Sequence, residues 1–191
     1  MTTRLLTVDG LRAGYEGPVV GPLDFFVEAG EVVGLAGPNG CGKSTVMRVL
    51  TGEASVFAGT VTRREALRVA YQPQYGLNTG GAVSEIPLRV REVLRLMDVP
   101  ADTLPARLAA LVDVRVDRLS GGQQQLLMVW AAIGHPADLL LLDEPTNNLD
   151  TDGEALLADT LRSLAPGRAA LVISHERDFL TQVVDRMVEI A

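Results

Sequence analysis

The feature that most constrains this chain is a glycine-rich loop in its first quarter. Residues 37–45 read Gly-Pro-Asn-Gly-Cys-Gly-Lys-Ser-Thr, which fits the pattern G-x-x-x-x-G-K-[S/T]. An apolar run that predicts a strand, Val32–Ala36, precedes the loop, and a stretch that predicts a helix, 44–50, follows it. This order of strand, loop and helix is the context in which the pattern binds phosphate. A tight glycine turn without a ligand is the structural alternative.

Each residue type in this loop has a chemical use. The glycines let successive backbone N–H groups turn toward one anion, and the start of the following helix adds partial positive charge. We predict that Lys43 reaches the β and γ phosphates of a nucleotide, that the Ser44 hydroxyl ligates Mg²⁺ and that Thr45 supports the loop from behind. The predicted nucleotide-binding set in this loop is Gly37, Pro38, Asn39, Gly40, Cys41, Gly42, Lys43, Ser44 and Thr45.

Composition and charge restrict where such a chain works. The sequence has 191 residues, is 47% hydrophobic and carries one cysteine, so one globular domain without an intramolecular disulfide is expected. The N-terminus lacks the order of a signal peptide, and no apolar run approaches the ~18 residues that span a bilayer. We therefore expect a cytoplasmic protein that reaches a membrane only through a partner. The net charge of −7 and the scattered arginines argue against direct nucleic-acid binding.

Short apolar runs alternate with helical stretches, which predicts an α/β fold with a mostly parallel sheet covered on both sides. Strands are expected at 5–8, 25–27, Val32–Ala36, 67–70, 139–142, 170–173 and 187–190. Helices are expected at 44–50, 90–97 and 106–112, with a further helix opened by a capping-box pattern, Thr151 to Glu154, whose Leu157, Leu161 and Leu164 share a face. The segments 5–27 and 54–62 predict a small antiparallel layer.

The domain organisation follows from the same pass along the chain. Residues 76–89 are rich in Gly, Pro and Ser and lack periodicity, so they are expected to connect into a mainly helical insert of about 90–134. We predict a single domain over 1–191, with a core formed by about 1–75 and 135–191 and a helical subdomain of about 76–134.

Two carboxylates follow an apolar strand in the second half of the chain. Residues 139–145 read Leu-Leu-Leu-Leu-Asp-Glu-Pro. The end of a parallel strand is the usual place for ligand chemistry in an open α/β sheet. We predict that Asp143 helps to hold Mg²⁺ through water and that Glu144 is the general base for the water that attacks the γ-phosphate. A solvated turn at the strand end is the alternative.

Residues 119–123, Leu-Ser-Gly-Gly-Gln, form a further unusual motif. Ser120 and Gln123 make a capping box, so the motif is at least a helix start. Its two glycines weaken that helix by about 1 kcal/mol each relative to alanine if they are helical, which indicates that their use lies elsewhere. A bare backbone at a helix N-terminus is a second anion site, and two copies of such a chain can clamp two nucleotides between them.

With these motifs in this order, the sequence resembles the ATP-binding cassette family over essentially its whole length. The resemblance implies the fold of a P-loop NTPase, ATP hydrolysis with Mg²⁺, and a homodimer or paired cassette with nucleotide at the interface. It implies that the signature, which comprises Ser120, Gly121, Gly122 and Gln123, contacts the γ-phosphate held by the partner subunit.

The same resemblance assigns four further residues. Tyr15 stacks on adenine, Gln74 senses Mg²⁺ and the attacking water, Asp150 belongs to a loop (148–150) that crosses the dimer interface, and His175 is the switch histidine. The catalytic set is therefore Glu144, His175, Lys43 and Gln74, and the metal set is Ser44, Gln74 and Asp143. Without the family register, Tyr15 is equally a packing residue and His175 an ordinary surface histidine. The family usually has arginines at the positions of Leu126 and Ala131, and their loss bears on the dimer interface.

Three functions stay open on the sequence alone, because the fold and ATP site are shared by different machines. The first is the ATPase subunit of a membrane transporter, with a membrane permease as partner; residues 86–94 resemble zinc and manganese importer ATPases. The second is a soluble ATPase that acts on ribosomes, since residues 146–150 and 174–180 resemble the translation-factor branch. The third is a non-catalytic scaffold, which the complete set of site residues disfavours.

Overall fold

Two β-sheets form the framework of the protein, whose computed structural model describes residues 3–74, 88–100 and 103–190. The strands are β1 Arg4–Gly14, β2 Pro18–Glu28, β3 Val32–Ala36, β4 Ser55–Arg63, β5 Val69–Gln72, β6 Leu139–Asp143, β7 Ala169–Ile173 and β8 Arg186–Glu189. The larger sheet is parallel throughout, in the order β5-β6-β7-β3-β8, and the smaller is antiparallel, in the order β2-β1-β4. The predicted α/β architecture with a small antiparallel layer is confirmed.

Hydrophobicity explains why the central strands are parallel and interior. Every residue of β6 and β7 is buried, as expected for strands covered on both faces. Strand β5 begins two residues later than the sequence predicts, because the backbone of Arg68 is already engaged by Asp138: the Arg68 N–H donates to Asp138 Oδ2 over 3.0 Å, and Arg68 O accepts from Asp138 N over 2.9 Å.

Besides a short 3₁₀ helix at Val116–Arg118, six α-helices are present in the described part of the chain. They are α1 Lys43–Thr51, α2 Val90–Leu96, α3 Ala106–Ala109, α4 Gly121–Gly134, α5 Thr151–Arg162 and α6 Arg177–Val183. The sequence reading missed α6. Helix α3 is shorter than the predicted 106–112, since the chain turns so that the carbonyls of Val112 and Val114 accept from the first N–H groups of α2. The predicted connector falls mostly outside the described residues.

The start of α5 differs from the prediction. The N-cap is Asp150, whose Oδ1 accepts from Gly153 N over 2.9 Å, and Thr151 is the first helical residue. The capping-box interpretation of Thr151 was therefore wrong by one residue, because aspartate is as good an N-cap as threonine and a carboxylate also complements the helix dipole. Leu157 and Leu161 are buried as expected, whereas Leu164 lies beyond the helix end.

The parallel sheet separates two hydrophobic cores. On one face, Leu139 and Leu141 pack with α1 and the antiparallel layer. On the other, Leu140 and Leu142 pack with α4, α5 and α6. Among the described residues, no helix is both long and apolar enough to cross a bilayer. The carboxyl ends of β3 and β6 thus open at the same edge of the sheet, where the predicted site residues lie.

Candidate active site

The glycine-rich loop links β3 to α1 and can be built only from glycine at two positions. Gly37 and Gly42 have φ angles of 153° and 98°. A Cβ at Gly37 would lie 2.4 Å from the Ile190 carbonyl oxygen, and one at Gly42 would lie 2.7 Å from Val20 Cβ. Larger residues would therefore force the loop away from the sheet. Backbone packing, rather than a general preference for flexibility, fixes these glycines.

The side chain of Lys43 folds back over the loop that precedes it. Its Nζ donates to the carbonyls of Gly37 and Pro38, over 2.8 and 2.9 Å. Cys41 is half-buried against the core on the α1 side, and Thr45 is buried beneath the loop. The ammonium group thus sits among loop carbonyls at the mouth of the site, and both contacts are exposed enough to be exchanged for phosphate.

Residues from four separate parts of the chain line one cavity of about 530 Å³ in front of this loop. We call it the nucleotide cavity. Its lining comprises Asn39, Gly40, Gly42, Lys43, Ser44, Thr45, Gln74, Asp143, Glu144, Asn147, Ile173 and His175. The structure therefore brings all four predicted catalytic residues and all three predicted metal ligands together.

Asp143 ends β6 as a buried carboxylate with an open position. Its Oδ1 has no hydrogen-bond partner within the described residues, and Tyr71 Oη lies 3.5 Å from its Oδ2. Burial raises the pKa of Asp143, the charge of Glu144 raises it further, and the Ser44 hydroxyl opposes both. Burial likewise raises the pKa of Tyr71 to about 12, so that this hydroxyl keeps its proton as a donor. Asp143 offers a buried carboxylate oxygen without a partner in the described part of the chain, and Ser44 offers a hydroxyl. Oxygen atoms of these kinds are the ligands that Mg²⁺ prefers.

Glu144 is held by His175 through two contacts. Oε2 of Glu144 accepts from the backbone N–H of His175 over 3.1 Å and lies 2.8 Å from its Nδ1. The Glu144 side chain is 8% exposed and its φ is 52°, which is unusual for a residue with a side chain. A strained backbone and two donors fix the carboxylate at the edge of the nucleotide cavity.

Gln74 lies at the exposed mouth of the nucleotide cavity, whereas Gln72 does not face it. The Gln72 side chain is fully buried, and its Nε2 donates to the backbone carbonyls of Pro73 and Asp143. Between the two glutamines, the accessible one is the residue that the sequence predicts.

The signature opens α4 with the predicted capping box. Ser120 Oγ accepts from Gln123 N over 3.3 Å, and Gln123 Oε1 accepts from Ser120 N over 2.9 Å. Its two glycines face different surroundings: a Cβ at Gly121 would meet nothing within 4 Å, while one at Gly122 would lie 2.6 Å from the Asn148 carbonyl oxygen. Gly121 leaves the helix start open to a ligand, and Gly122 lets the 148–150 loop approach.

The signature lines a second cavity of about 380 Å³, which we call the signature groove and which shares none of its described lining residues with the nucleotide cavity. It is lined by Arg107, Leu111, Ser120, Gly122, Gln123, Leu126, Asn148, Leu149, Asp150 and Gly153. The predicted signature residues and Asp150 therefore meet each other without meeting the phosphate loop of the same chain.

Tyr15 lies outside both cavities, at the end of β1. Its side chain is 46% exposed, and its hydroxyl accepts from Arg48 Nη1 over 2.8 Å. The guanidinium carbon of Arg48 lies 5.9 Å from the centre of the ring. An exposed ring held at one edge is compatible with the predicted stacking on a base, which stays a prediction.

Sequence reasoning missed two residues of the site region. Arg107 forms two hydrogen bonds to Asp150, and the buried Gln125 donates through Nε2 to the carbonyls of Glu144 and Pro145, over 3.3 and 3.1 Å. Their partners are 43 and about 20 positions away. No local spacing rule connects such residues, so only the fold reveals them.

Comparisons with known proteins support the same picture. The family model described as ABC transporter matches residues 20–147. The chain is 36% identical over 174 residues to the Zinc import ATP-binding protein ZnuC of Rhizobium johnstonii, covering 87% of this chain and 56% of that protein. It is 34% identical over 208 aligned positions to the Nod factor export ATP-binding protein I of Ralstonia nicotianae, covering 97% and 64%. The chain thus spans between half and two thirds of these two relatives.

A solved ATP-binding subunit of an ABC transporter has the same fold. It superposes with a TM-score of 0.82 at 25% identity, over 97% of this chain and 85% of that one.

Proposed function

This chain belongs to the ABC transporter family, and from that premise we propose that it binds and hydrolyses ATP as the nucleotide-binding subunit of a membrane transporter. The observation that carries the proposal is the separation of two anion-binding features in one chain. The phosphate loop and the carboxylates share the nucleotide cavity, while the signature opens into a different groove.

In two copies arranged head to tail, the phosphate loop of each copy faces the signature of the other. The signature of one subunit then covers the nucleotide held by the phosphate loop of the other, and each shared site needs both chains. The open space at Gly121 supports this arrangement, because the helix N-terminus offers its N–H groups to an anion that the same chain does not supply. ATP binding would close such a dimer, and hydrolysis would release it.

Within each site the residues of one chain divide the chemistry. Lys43 exchanges the loop carbonyls for the β and γ phosphates, whose negative charge it offsets. Glu144 orients a water molecule and accepts its proton as the water oxygen bonds to the γ-phosphorus and the bond to the ADP oxygen breaks. His175, which already contacts Oε2, keeps this carboxylate directed toward the reacting centre. Gln74 lies at the mouth of the cavity, and its proposed role is to sense Mg²⁺ and the attacking water.

The donors in the cavity fit Mg²⁺. Ser44 and Asp143 would hold the ion, with Gln74 as a further oxygen ligand. The unpartnered Oδ1 of Asp143 supports this role, since a buried carboxylate oxygen without a donor is costly unless a cation or water satisfies it. When bound by these residues, Mg²⁺ would supply positive charge that offsets the charge of the phosphates.

We propose that the partner in the membrane is a permease and that the chain is cytoplasmic, peripheral on the inner face of the plasma membrane through that contact. By their names, the two relatives reported above are an import protein and an export protein. We infer that the permease, rather than the ATP-binding subunit, determines which class of substrate is transported. A metal ion is the substrate that the importer resemblance favours. The net charge of −7 supports the absence of a direct nucleic-acid partner.

The ribosomal alternative rests on the resemblance of residues 146–150 and 174–180 to translation factors. Affinity purification of the chain from membranes solubilised in mild detergent distinguishes the ribosomal function from the transporter function. A polytopic membrane protein that co-purifies with the chain supports the transporter, and ribosomal particles in its place would overturn it.

The Glu144→Gln variant tests the enzymatic part. It keeps the size of the side chain but removes the base, so we expect ATP hydrolysis to fall by about 100-fold or more while a dimer accumulates in Mg-ATP. Size-exclusion chromatography with and without Mg-ATP reports the dimer. A variant that hydrolyses normally and stays monomeric contradicts the assigned base.

A further inference from the structure

The signature groove contains a charged contact that the proposed chemistry does not use. Arg107, from α3, donates from Nη1 to Asp150 Oδ1 over 2.7 Å and from Nη2 to Asp150 Oδ2 over 2.5 Å. This fork-to-carboxylate geometry fixes the direction of both side chains as well as their distance. Of the described residues that line the groove, Arg107 is the one cation.

The contact joins two of the elements that line the groove. Asp150 is both the N-cap of α5 and the last residue of the 148–150 loop, while Arg107 belongs to the helical segment that leads into the signature. The Arg107 guanidinium holds the pKa of Asp150 well below its usual range, so the carboxylate is charged throughout the physiological range. The bridge therefore persists across that range and links α3 to the start of α5.

Two other contacts bring the same stretch of chain close to the signature helix. The Asn148 carbonyl approaches the bare Cα of Gly122, and the buried Gln125 donates to the carbonyls of Glu144 and Pro145. The segment from Glu144 to Asp150 is thus hydrogen-bonded to the signature helix at its beginning and lies close to it at Asn148. Arg107 of α3 adds an ion pair at the end of this segment, where both side chains are exposed to solvent.

We propose that Arg107 is a positioning residue for the shared ATP site. Its bridge to Asp150 holds the 148–150 loop against the signature, so that the groove has the shape required by the partner's γ-phosphate before the two subunits meet. This inference rests on the proposed ATP-driven dimer. Preorganisation of this kind lowers the ordering cost of association and leaves nucleotide binding by a single subunit unchanged.

The size of the expected effect follows from the exposure of the pair. The side chains of Arg107 and Asp150 are 48% and 59% exposed. Loss of such an exposed bridge is expected to weaken the association of the subunits at each groove by about threefold. A symmetric dimer contains two grooves, which makes the expected change in the dimerisation constant about tenfold. Salt at about 1 M should screen the ion pair, so that the dimerisation constant of the parent approaches the constants of the variants.

The experiment is a double-mutant cycle in the full-length chain that carries Glu144→Gln, with Mg-ATP saturating. Arg107→Gln removes the fork, and Asp150→Asn removes the charge while an asparagine can still cap α5. Dimerisation constants come from sedimentation equilibrium, and ATP binding by the monomer is measured separately. Arg162→Gln is the control, because it removes an arginine–aspartate ion pair of similar exposure, to Asp159, outside the groove.

We expect each single variant and the double variant to weaken dimerisation by about tenfold, because all three remove the same bridge. Arg107→Lys, which keeps the charge without the fork, should lie between the parent and Arg107→Gln. Parental dimerisation by Arg107→Gln, or a double variant weakened by about 100-fold, overturns the inference while the proposed function stands. A parent that stays monomeric in Mg-ATP overturns the proposed function and this inference with it.

Discussion

Nδ1 of His175 lies 2.8 Å from Oε2 of Glu144, and the backbone N–H of the same histidine donates to the same oxygen. One residue thus holds the proposed base in two ways, one that depends on its side chain and one that does not. A change of the side chain leaves the backbone contact in place.

His175→Ala should therefore impair hydrolysis less than Glu144→Gln. We expect kcat to fall by about 10- to 100-fold, with little change in KM, because the carboxylate stays near the water but loses its fixed direction. Steady-state ATPase assays on the two variants side by side give the comparison. Equal losses in both would mean that the imidazole acts on the substrate directly.

Asp143→Asn should stabilise the protein while abolishing activity. Burial raises the pKa of Asp143 in the folded state, so the carboxylate destabilises the fold once pH rises above its unfolded pKa. Removing that charge is expected to raise Tm at pH 7 by a few degrees, on the order of 1 kcal/mol, and the gain should disappear below the unfolded pKa of about 3.9.

Calorimetry of wild type and Asp143→Asn across this pH range tests the sign. Mg-ATP should narrow the difference at neutral pH, since a bound cation offsets the buried charge in the wild type alone. A variant that is less stable than wild type at pH 7 would show that the carboxylate has partners that outweigh its burial.

The two signature glycines should respond oppositely to alanine. Gly122→Ala places a methyl group 2.6 Å from the Asn148 carbonyl, so we expect lower stability by about 1–3 kcal/mol and a displaced 148–150 loop. Gly121→Ala meets nothing within 4 Å and should retain or slightly raise stability through better helix propensity. Urea denaturation of both variants checks the contrast, and equal destabilisation would contradict it.

Arg168 should matter for folding although it lies far from the nucleotide cavity. Its guanidinium donates to the carbonyls of Ile133, His135 and Ala137, over 2.8, 3.0 and 2.9 Å, which caps the C-terminus of α4. Because these carbonyls would lose charge-assisted bonds, Arg168→Leu is expected to cost about 1–3 kcal/mol of unfolding free energy. Chemical denaturation measures it, with the exposed Arg162→Leu as control.

Alkylation of Cys41 should block ATP binding, and Mg-ATP should protect. The thiol is half-buried in the phosphate loop, so we expect an added group to compete with a nucleotide for the loop. Since Cys41 is the only cysteine in the sequence, Cys41→Ser should not respond to the reagent at all. Unchanged ATPase activity after complete modification would contradict this placement.

The sequence predicted those parts of the site that depend on short-range patterns. The phosphate loop, the pair Asp143 and Glu144, and the capping box at Ser120 are each fixed by spacings of a few residues, and the structure places them as expected. The parallel sheet was predicted because short apolar runs alternate with helical stretches along the chain.

What the sequence could not predict depends on which distant carbonyl or carboxylate groups lie near a side chain. Arg107, Gln125 and Arg168 all act on partners 19 or more positions away, and an arginine or glutamine has no periodicity that reveals its target. The misplaced cap at Thr151 has a different cause. Asp150 and Thr151 are both good caps, and only the backbone geometry distinguishes them.

The two cores on opposite faces of the parallel sheet share strands but not side chains. Leu139 and Leu141 belong to the face with the phosphate loop, and Leu140 and Leu142 to the face with the signature helix. Substitutions on one face can therefore accumulate and be compensated without repacking the other, provided that the strand register is kept. The half with the phosphate loop and the half with the signature helix are therefore free to diversify at different rates.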